Sequence, residues 1–129
     1  MPKIVHRVPS APEPLGPYAV ATEAHGFVFL SGQVAVDPAT GRPVDGDVVE
    51  QTHRVMQNLG AVLADLDLGF ADVVKTTIFL ADIADFPAVN AVYAGYVGDD
   101  PPARSTIQAG ALPGGFLVEI EAIAARRAR

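Results

Sequence analysis

One arginine stands out among the residues of this sequence that could do chemistry. Arg104 lies in "PPARSTIQ" (101–108) and is the only Lys or Arg between Lys75 and Arg126. A guanidinium holds a carboxylate or phosphate through two parallel hydrogen bonds, and the prolines before Arg104 restrict the backbone that carries it. Arg104 is therefore either an anchor for an anionic ligand or a surface arginine at the end of a loop.

Two carboxylates occur in the last strand-like run, "LVEIEAIA" (117–124). Because successive side chains of a strand point to opposite faces, Glu119 and Glu121 share one face with Leu117 and Ile123. Two interpretations stay open. The charges protect an edge strand from pairing with another chain, or one glutamate lies in a partly buried cleft where it holds a water or moves a proton.

Weaker candidates come from the first third of the chain. Tyr18 follows a rigid "GP" turn and is either a packing residue or a phenol of the site. Ser31 and Gln33 flank Gly32, and a glycine inside a strand pattern indicates a bulge or a close backbone approach. As signals of a site, these polar residues carry little weight by themselves.

The sequence predicts no metal and no cofactor. Its three histidines, His6, His25 and His53, have no metal-ligand spacing. No GxGxxG, P-loop or HExxH motif occurs, and the absence of cysteine excludes thiolate sites, cysteine nucleophiles and disulfides. The candidate set instead suits a small carboxylate ligand.

Length and composition indicate one globular domain over residues 1–129. Half of the residues are hydrophobic and 19% are charged, which is typical of a chain with its own core. A formal net charge of −6 argues against nucleic acid as a partner. No apolar run approaches the roughly 18 residues needed to span a bilayer, and the N-terminus lacks an apolar signal segment. We therefore expect a cytoplasmic protein with no membrane partner.

The hydrophobic pattern predicts strands, a helix, a strand, a second helix and further strands. Asp47 is the expected N-cap of the first helix and Asp85 that of the second. The expected strands are 3–7, 27–30 with 33–36, 73–80, 105–109 and 116–125, and the expected helices are 47–67 and 85–96. Two helices on one face of a mixed sheet give a two-layer α+β domain whose other sheet face is bare. We expect further copies of the chain to bury that face.

Several short motifs, in this order, resemble the RidA/YjgF family. They are "GPYAVA" (16–21), "SGQ" (31–33), "QT" (51–52) with Asn58, "VVKTTIFLAD" (73–82), "VNAVYAGY" (89–96), "PARS" (102–105), and "LPGG" with "VEIEAIA" (118–124). The resemblance covers nearly the whole chain. It implies a chorismate-mutase-like α+β subunit, and a homotrimer in which three sheets form a barrel with the helices outside.

The resemblance also implies a hydrolase that needs no cofactor. Active members of the family deaminate reactive enamines and imines, such as 2-aminoacrylate and 2-iminobutyrate, to 2-oxo acids and ammonia, at clefts between subunits. In such a site Arg104 would bind the substrate carboxylate and Glu119 would position water. The other site positions that the resemblance implies are Tyr18, Ser31, Gly32, Asn90 and the backbone carbonyl of Thr106.

Two positions depart from the family pattern. Val20 stands where many members have Gln, and Thr106 where many have Cys. Val20 would change the polarity of the cleft and so the substrate range, whereas a carbonyl contact at position 106 survives the change of side chain. The alternative to an enzyme is a non-catalytic trimer that binds small carboxylates, or a regulator, using the same clefts.

Overall fold

The structure, a computed structural model, describes residues 2–127. Its strands are β1 (Ile4–His6), β2 (Ala21–Ala24), β3 (Phe27–Gln33), β4 (Val36–Asp37), β5 (Arg42–Pro43), β6 (Val73–Leu80), β7 (Ala103–Gln108) and β8 (Val118–Ala125). Its α-helices are α1 (Val48–Asp65) and α2 (Phe86–Val97). Short 3₁₀ turns occupy Phe70–Asp72, Ile83–Asp85 and Pro113–Gly115.

Six of the strands form one mixed sheet in the order β1-β2-β3-β8-β6-β7. Only β6 and β7 pair in parallel, and the other neighbours are antiparallel. The predicted α+β fold, with a mixed sheet and two helices, is thus confirmed. Two details were not predicted: β2 lies within a segment given no structure, and the turn-rich segment after β3 contains the two-stranded β4–β5 hairpin.

Helix α1 forms because its apolar side chains recur at three- and four-residue steps. Asp47 is its N-cap, as predicted, and its side chain accepts a hydrogen bond from the Glu50 N–H at 3.0 Å. The buried side of α1 packs on the sheet through residues that include Val55, Met56 and Leu59. The helix therefore covers the centre of one sheet face.

Helix α2 begins after Asp85, but this residue does not cap it as predicted, because its side chain makes no capping bond. The carboxylate of Asp82 instead accepts a hydrogen bond from the Ala84 N–H at 2.9 Å, within the preceding 3₁₀ turn. Pro87 stands in the first helical turn, where a missing N–H costs nothing. Gly98, at φ 72°, ends the helix.

The core lies between the helices and one face of the sheet. Along β8, Val118, Ile120, Ala122 and Ala124 are buried, and these alternate with more exposed side chains. On the opposite face no helix covers Phe27, Phe29 and Ile107, which are 43–49% exposed. A bare apolar face of this kind is what the trimer prediction requires, and the trimer itself stays a prediction.

A bulge interrupts β3 at the position that the sequence indicated. The register with β8 shifts between Leu30 and Gln33, so Ser31 and Gly32 leave the regular ladder. Within residues 2–127, no helix is long and apolar enough to cross a membrane.

Candidate active site

Arg104 lies on the helix-covered face of the sheet. In the parallel pairing of β6 and β7 it is the register partner of Thr76, and neighbouring residues on paired strands point to the same face. Thr76 is 3% exposed, and its hydroxyl is hydrogen-bonded to the hydroxyl of Tyr93 on α2 at 2.6 Å. The Arg104 side chain therefore extends along the edge of the sheet toward α2.

Helix α2 contacts the Arg104 guanidinium through three residues. Nη1 donates a hydrogen bond to Oδ1 of Asn90 at 2.7 Å. The guanidinium carbon lies 5.3 Å from the centroid of the Phe86 ring and 5.2 Å from that of Tyr93, within the range of cation–π attraction. One end of the side chain is thus fixed, while most of its N–H donors have no partner among the described residues.

No carboxylate pairs with Arg104 among residues 2–127, where every ion pair involves His6, Arg126 or Arg127. Arg104 and Asn90 border a cavity of about 500 Å³, which is otherwise lined mainly by apolar residues of α2 and of the loop to β7. A partly buried cation that has no anionic partner favours binding of an anion from outside.

Glu119 lies on the opposite, bare face of the sheet. Its neighbours Val118 and Ile120 are fully buried under the helices, and alternation along the strand directs Glu119 the other way. Glu119 is half-buried and Glu121 is exposed, so the structure distinguishes two glutamates that strand alternation alone left equivalent and of which only the family resemblance singled out Glu119. Burial, and next the charge of Glu121, raise the pKa of the Glu119 carboxyl above its ordinary value.

The bulge in β3 makes room for the Glu119 carboxylate. A Cβ atom on Gly32 would lie 2.9 Å from Cδ of Glu119, closer than such atoms approach one another. Only glycine leaves this space open. The sequence indicated a bulge or a close approach to the backbone at Gly32. Both occur, and the group that approaches the Gly32 backbone is the Glu119 side chain.

Ser31 ties the segment after Tyr18 to the same bulge. The Ser31 hydroxyl donates to the Ala19 carbonyl at 2.7 Å, and its N–H donates to the Val20 carbonyl at 2.9 Å. Tyr18 itself is 55% exposed and borders a cavity of about 750 Å³ formed with the N-terminal segment. This cavity is larger than the one beside Arg104, but it lies apart from that residue and from Glu119. The smaller cavity, which Arg104 lines, is therefore the candidate substrate site.

Thr106 follows Arg104 by two residues and so shares its face of β7. Its Oγ1 atom is buried and has no hydrogen-bond partner in the part of the chain that the structure describes. A buried hydroxyl without a partner is costly. Position 106 is thus the second polar side chain, after Arg104, that lacks a full set of partners at this edge.

The predicted site residues form two groups. Arg104, Asn90 and Thr106 lie where β7 meets α2, and Glu119, Gly32 and Ser31 lie at the bulge, with Tyr18 tethered beside them. Strand β6 separates Arg104 from Glu119, and they use different faces of the sheet. One chain does not bring the two groups together.

Sequence reasoning missed the residues that hold Arg104. Phe86 and Tyr93 lie in the segment predicted as the second helix and Thr76 in a predicted strand, and the sequence assigned none of them a role at the site. A signal was present, because positions 86, 90 and 93 fall on one side of a helix and place an amide between two aromatic rings. Gln51 was also missed as a support: its Oε1 accepts the Leu117 N–H at 2.9 Å, just before β8.

Within residues 2–127 the structure contains no group of three His, Asp or Glu side chains that could hold a metal ion.

Comparison with known proteins gives a family. Residues 8–126 match the family described as "Endoribonuclease L-PSP". The "Protein DfrA" of Myxococcus xanthus is 55% identical over 88% of both chains. The "2-iminobutanoate/2-iminopropanoate deaminase" of Mus musculus is 44% identical over 96% of this chain and 94% of its own. The crystal structure of E. coli TdcF with bound serine superposes with a TM-score of 0.86 at 35% identity, covering 96% of this chain and 98% of that one.

The family match spans nearly the whole chain, and relatives of more than 40% identity carry deaminase names. This chain belongs to the RidA/YjgF family, whose members include proteins named reactive intermediate deaminases.

Proposed function

We propose that this protein hydrolyses 2-imino acids and their enamine tautomers, such as 2-iminobutyrate and 2-aminoacrylate, to 2-oxo acids and ammonia. The observation that carries the proposal is the Arg104 guanidinium, which is held by Asn90 and two rings and lacks a carboxylate partner among the described residues. Relatives named 2-iminobutanoate/2-iminopropanoate deaminase support the reaction class.

Arg104 binds the carboxylate that all these substrates share. Two parallel N–H···O bonds fix both the position and the plane of a carboxylate, and so they orient the adjacent C=N carbon. Orientation of this kind removes part of the entropic barrier to attack by water. The serine bound in the relative TdcF also has a carboxylate next to a nitrogen-bearing carbon, which is consistent with such an anchor.

Glu119 acts as the general base and then as the general acid of the reaction. The water oxygen forms a bond to C2 of the protonated imine while the Glu119 carboxylate takes one proton from that water. Glu119 then returns the proton to nitrogen, and the C–N bond breaks so that ammonia leaves. The remaining hydroxyl gives its proton to the Glu119 carboxylate to form the 2-oxo acid, and this proton passes to ammonia, which is released as ammonium. Because burial raises the pKa of Glu119, its carboxylate is a stronger base than that of an exposed glutamate, and the group holds the proton more readily between the two transfers.

The other predicted residues complete the cleft. The carbonyl of Thr106 accepts from the attacking water, the Asn90 amide orients Arg104, and Tyr18 and Ser31 border the substrate from the bulge side. The chemistry requires no metal, because a protonated imine is already electrophilic.

A site with both Arg104 and Glu119 requires two copies of the chain. The edge of β7 on one copy would meet the bare face of the next, and the exposed Phe29 and Ile107 on that face favour burial against another copy. We propose a homotrimer with three equivalent clefts, since closed rotational symmetry uses every such surface.

The test couples the purified protein to a threonine dehydratase that releases 2-iminobutyrate. Semicarbazide traps the free imine, so a deaminase lowers the rate at which the trapped product forms. We expect the wild-type protein to lower that rate and Arg104→Ala to have little effect. An unchanged rate with wild-type protein, combined with measurable binding of 2-oxobutyrate, would favour the non-catalytic carboxylate-binding trimer instead.

A further inference from the structure

Three residues on one side of α2 surround the Arg104 guanidinium. Phe86, Asn90 and Tyr93 are spaced by four and three residues, so they line up along the helix. A rise of about 1.5 Å per residue separates positions 86 and 93 by about 10.5 Å. The guanidinium carbon is 5.3 Å and 5.2 Å from the two ring centroids, which is the geometry of a cation held between two rings.

The middle residue of the three fixes the rotation of the guanidinium. Asn90 Oδ1 accepts from Nη1 at 2.7 Å, and this is the one hydrogen bond that the Arg104 side chain makes within residues 2–127. A guanidinium has five N–H donors. The remaining donors therefore stay available on the edge that faces away from Asn90.

The Tyr93 ring is fixed more firmly than a typical surface aromatic. It is 4% exposed, and its hydroxyl is hydrogen-bonded to Thr76 at 2.6 Å. Thr76 is the register partner of Arg104 on the neighbouring strand. Thr76 therefore fixes the position of the Tyr93 ring relative to Arg104. A shift of the ring relative to the strand would break the buried hydrogen bond between Tyr93 and Thr76.

We infer that Phe86 and Tyr93 are positioning residues, whose rings hold the Arg104 guanidinium between them so that its free N–H edge meets the substrate carboxylate. This inference rests on the proposed function of Arg104 as the carboxylate anchor. A flexible arginine would lose side-chain entropy on binding. An arginine already held between two rings loses less, so the rings increase affinity without touching the substrate.

The arrangement also explains why position 104 requires arginine. A planar guanidinium stacks on aromatic faces and still presents a row of donors, whereas an ammonium group has no plane to be held. The two rings would attract a lysine as a point charge, but they would not fix the direction of its hydrogen bonds.

The test compares Phe86→Leu, which removes a ring but keeps apolar bulk, with Phe86→Tyr, which keeps the ring. Tyr93→Phe keeps the second ring and removes only its hydroxyl. Tyr96→Leu is the matched control, since Tyr96 is an aromatic residue of the same helix that packs against His53 and Phe70. Thermal unfolding of each variant shows whether it is folded.

Kinetics on 2-iminobutyrate give the first readout. We expect Phe86→Leu to raise KM by about 5- to 30-fold, the factor that corresponds to a partly desolvated cation–π contact, with a smaller change in kcat. Phe86→Tyr and Tyr96→Leu should keep the wild-type KM. If Arg104→Ala abolishes activity but the Phe86→Leu protein has the wild-type KM, the inference is wrong and the proposed function is unaffected.

The Arg104 side-chain N–H resonance gives a readout that does not depend on turnover. Rings within about 6 Å of the guanidinium shift this signal, which is assigned from its loss in Arg104→Lys. We expect Phe86→Leu to move this resonance toward the position of a free arginine and to weaken binding of 2-oxobutyrate. Tyr96→Leu should change neither the resonance nor the binding. These two measurements test the positioning role even if the wild-type protein fails to hydrolyse imines. An unmoved resonance and unchanged 2-oxobutyrate binding in Phe86→Leu would refute that role.

Discussion

Arg104 and Glu119 belong to opposite faces of one sheet, with strand β6 between them. Arg104 pairs with Thr76 on one side of β6, and Glu119 pairs with Phe79 on the other. Two strand spacings and three residues put their backbones roughly 10 Å apart across the sheet and roughly 10 Å apart along it. A single small substrate cannot touch both side chains of the same chain, so the proposed reaction and the proposed trimer depend on each other.

Subunit mixing tests that dependence. In a cyclic trimer that contains both Arg104→Ala and Glu119→Gln subunits, about one third of the clefts combine an intact Arg104 with an intact Glu119 from the next subunit. We expect trimers purified through two different tags to recover about that fraction of wild-type activity. Each variant alone should fall well below that fraction. Mixed trimers with no activity, or a wild-type protein that light scattering finds to be a monomer, would contradict the shared site.

The Arg104→Ala protein should stay folded and lose imine hydrolysis. Truncating one partner of a buried charge-assisted pair costs roughly 2–5 kcal/mol, which corresponds to a loss of about 30-fold to several thousand-fold in kcat/KM. Arg104→Lys should recover little, because it keeps the charge without the two-pronged hydrogen bonding. Steady-state kinetics on several carboxylate-bearing imines check this, and near-wild-type turnover of 2-iminobutyrate by Arg104→Ala would refute the anchor role.

Gly32→Ala should lower kcat while leaving the fold intact. The added Cβ meets the Glu119 carboxyl group, which is the end of a flexible side chain and can swing aside. Displacing a proton-transfer group costs more in kcat than in KM, because its contribution is made in the transition state. We expect a loss of about 10- to 100-fold in kcat, below the 10²–10⁴-fold typical of removing a general acid–base group. Gly69→Ala is the matched control, since a Cβ there meets nothing within 4 Å.

The family description raises the question of RNA cleavage, and we expect none here. Binding to a phosphate backbone depends on clustered Lys and Arg side chains, whereas this chain carries a net charge of −6. Arg104 is held at a sheet edge beside a cavity of about 500 Å³, and no second cation among residues 2–127 lines that cavity. Incubation with single-stranded RNA at physiological salt, with and without EDTA, should leave the RNA intact. Cleavage that Arg104→Ala abolishes would contradict this expectation.

The fold was predictable because its signals are local. The apolar period of α1 and the Asp47 cap are contained in consecutive residues, and so are the limits of β6, which match the prediction. Strand β2 was missed because its pattern, "ATEA", has little strand propensity. It is a strand because β3 and β1 pair with it on either side, and such pairing involves residues that are distant in the sequence.

The candidate site was predictable as a set of residue types but not as a geometry. Nothing in "VEIEAIA" distinguishes Glu119 from Glu121, because the difference arises from the bulge at Gly32, which is far away in the sequence. The rings around Arg104 were not predicted as part of the site, because an aromatic residue of an amphipathic helix is usually a core residue. That the two groups occupy different faces follows only from the register of β6 with both of its neighbours.

The raised pKa of Glu119 predicts how activity depends on pH. Burial, followed by the charge of Glu121, disfavours the carboxylate and moves the pKa above the ordinary 4.5. Since the carboxylate form takes the proton from water, kcat/KM should rise with pH along a limb whose midpoint lies above 4.5. Glu119→Gln should remove this limb and lower kcat by about 10²–10⁴-fold, with a smaller change in KM.

The same pKa shift has an effect on stability, and its sign is opposite to that of a carboxylate in a salt bridge. A carboxyl whose pKa is raised on folding stabilises the fold below its unfolded pKa, and this contribution is lost as pH rises through the folded pKa. Glu119→Gln should therefore melt at a higher temperature than wild type at neutral pH, and the difference should shrink as the pH falls through the raised pKa and be absent below 4.5. Glu121→Gln is the matched control. It removes the nearby charge from an exposed position, so it should lower the midpoint of the activity limb and keep most of kcat. A Glu119→Gln protein that retains the limb would assign the proton transfer to another group.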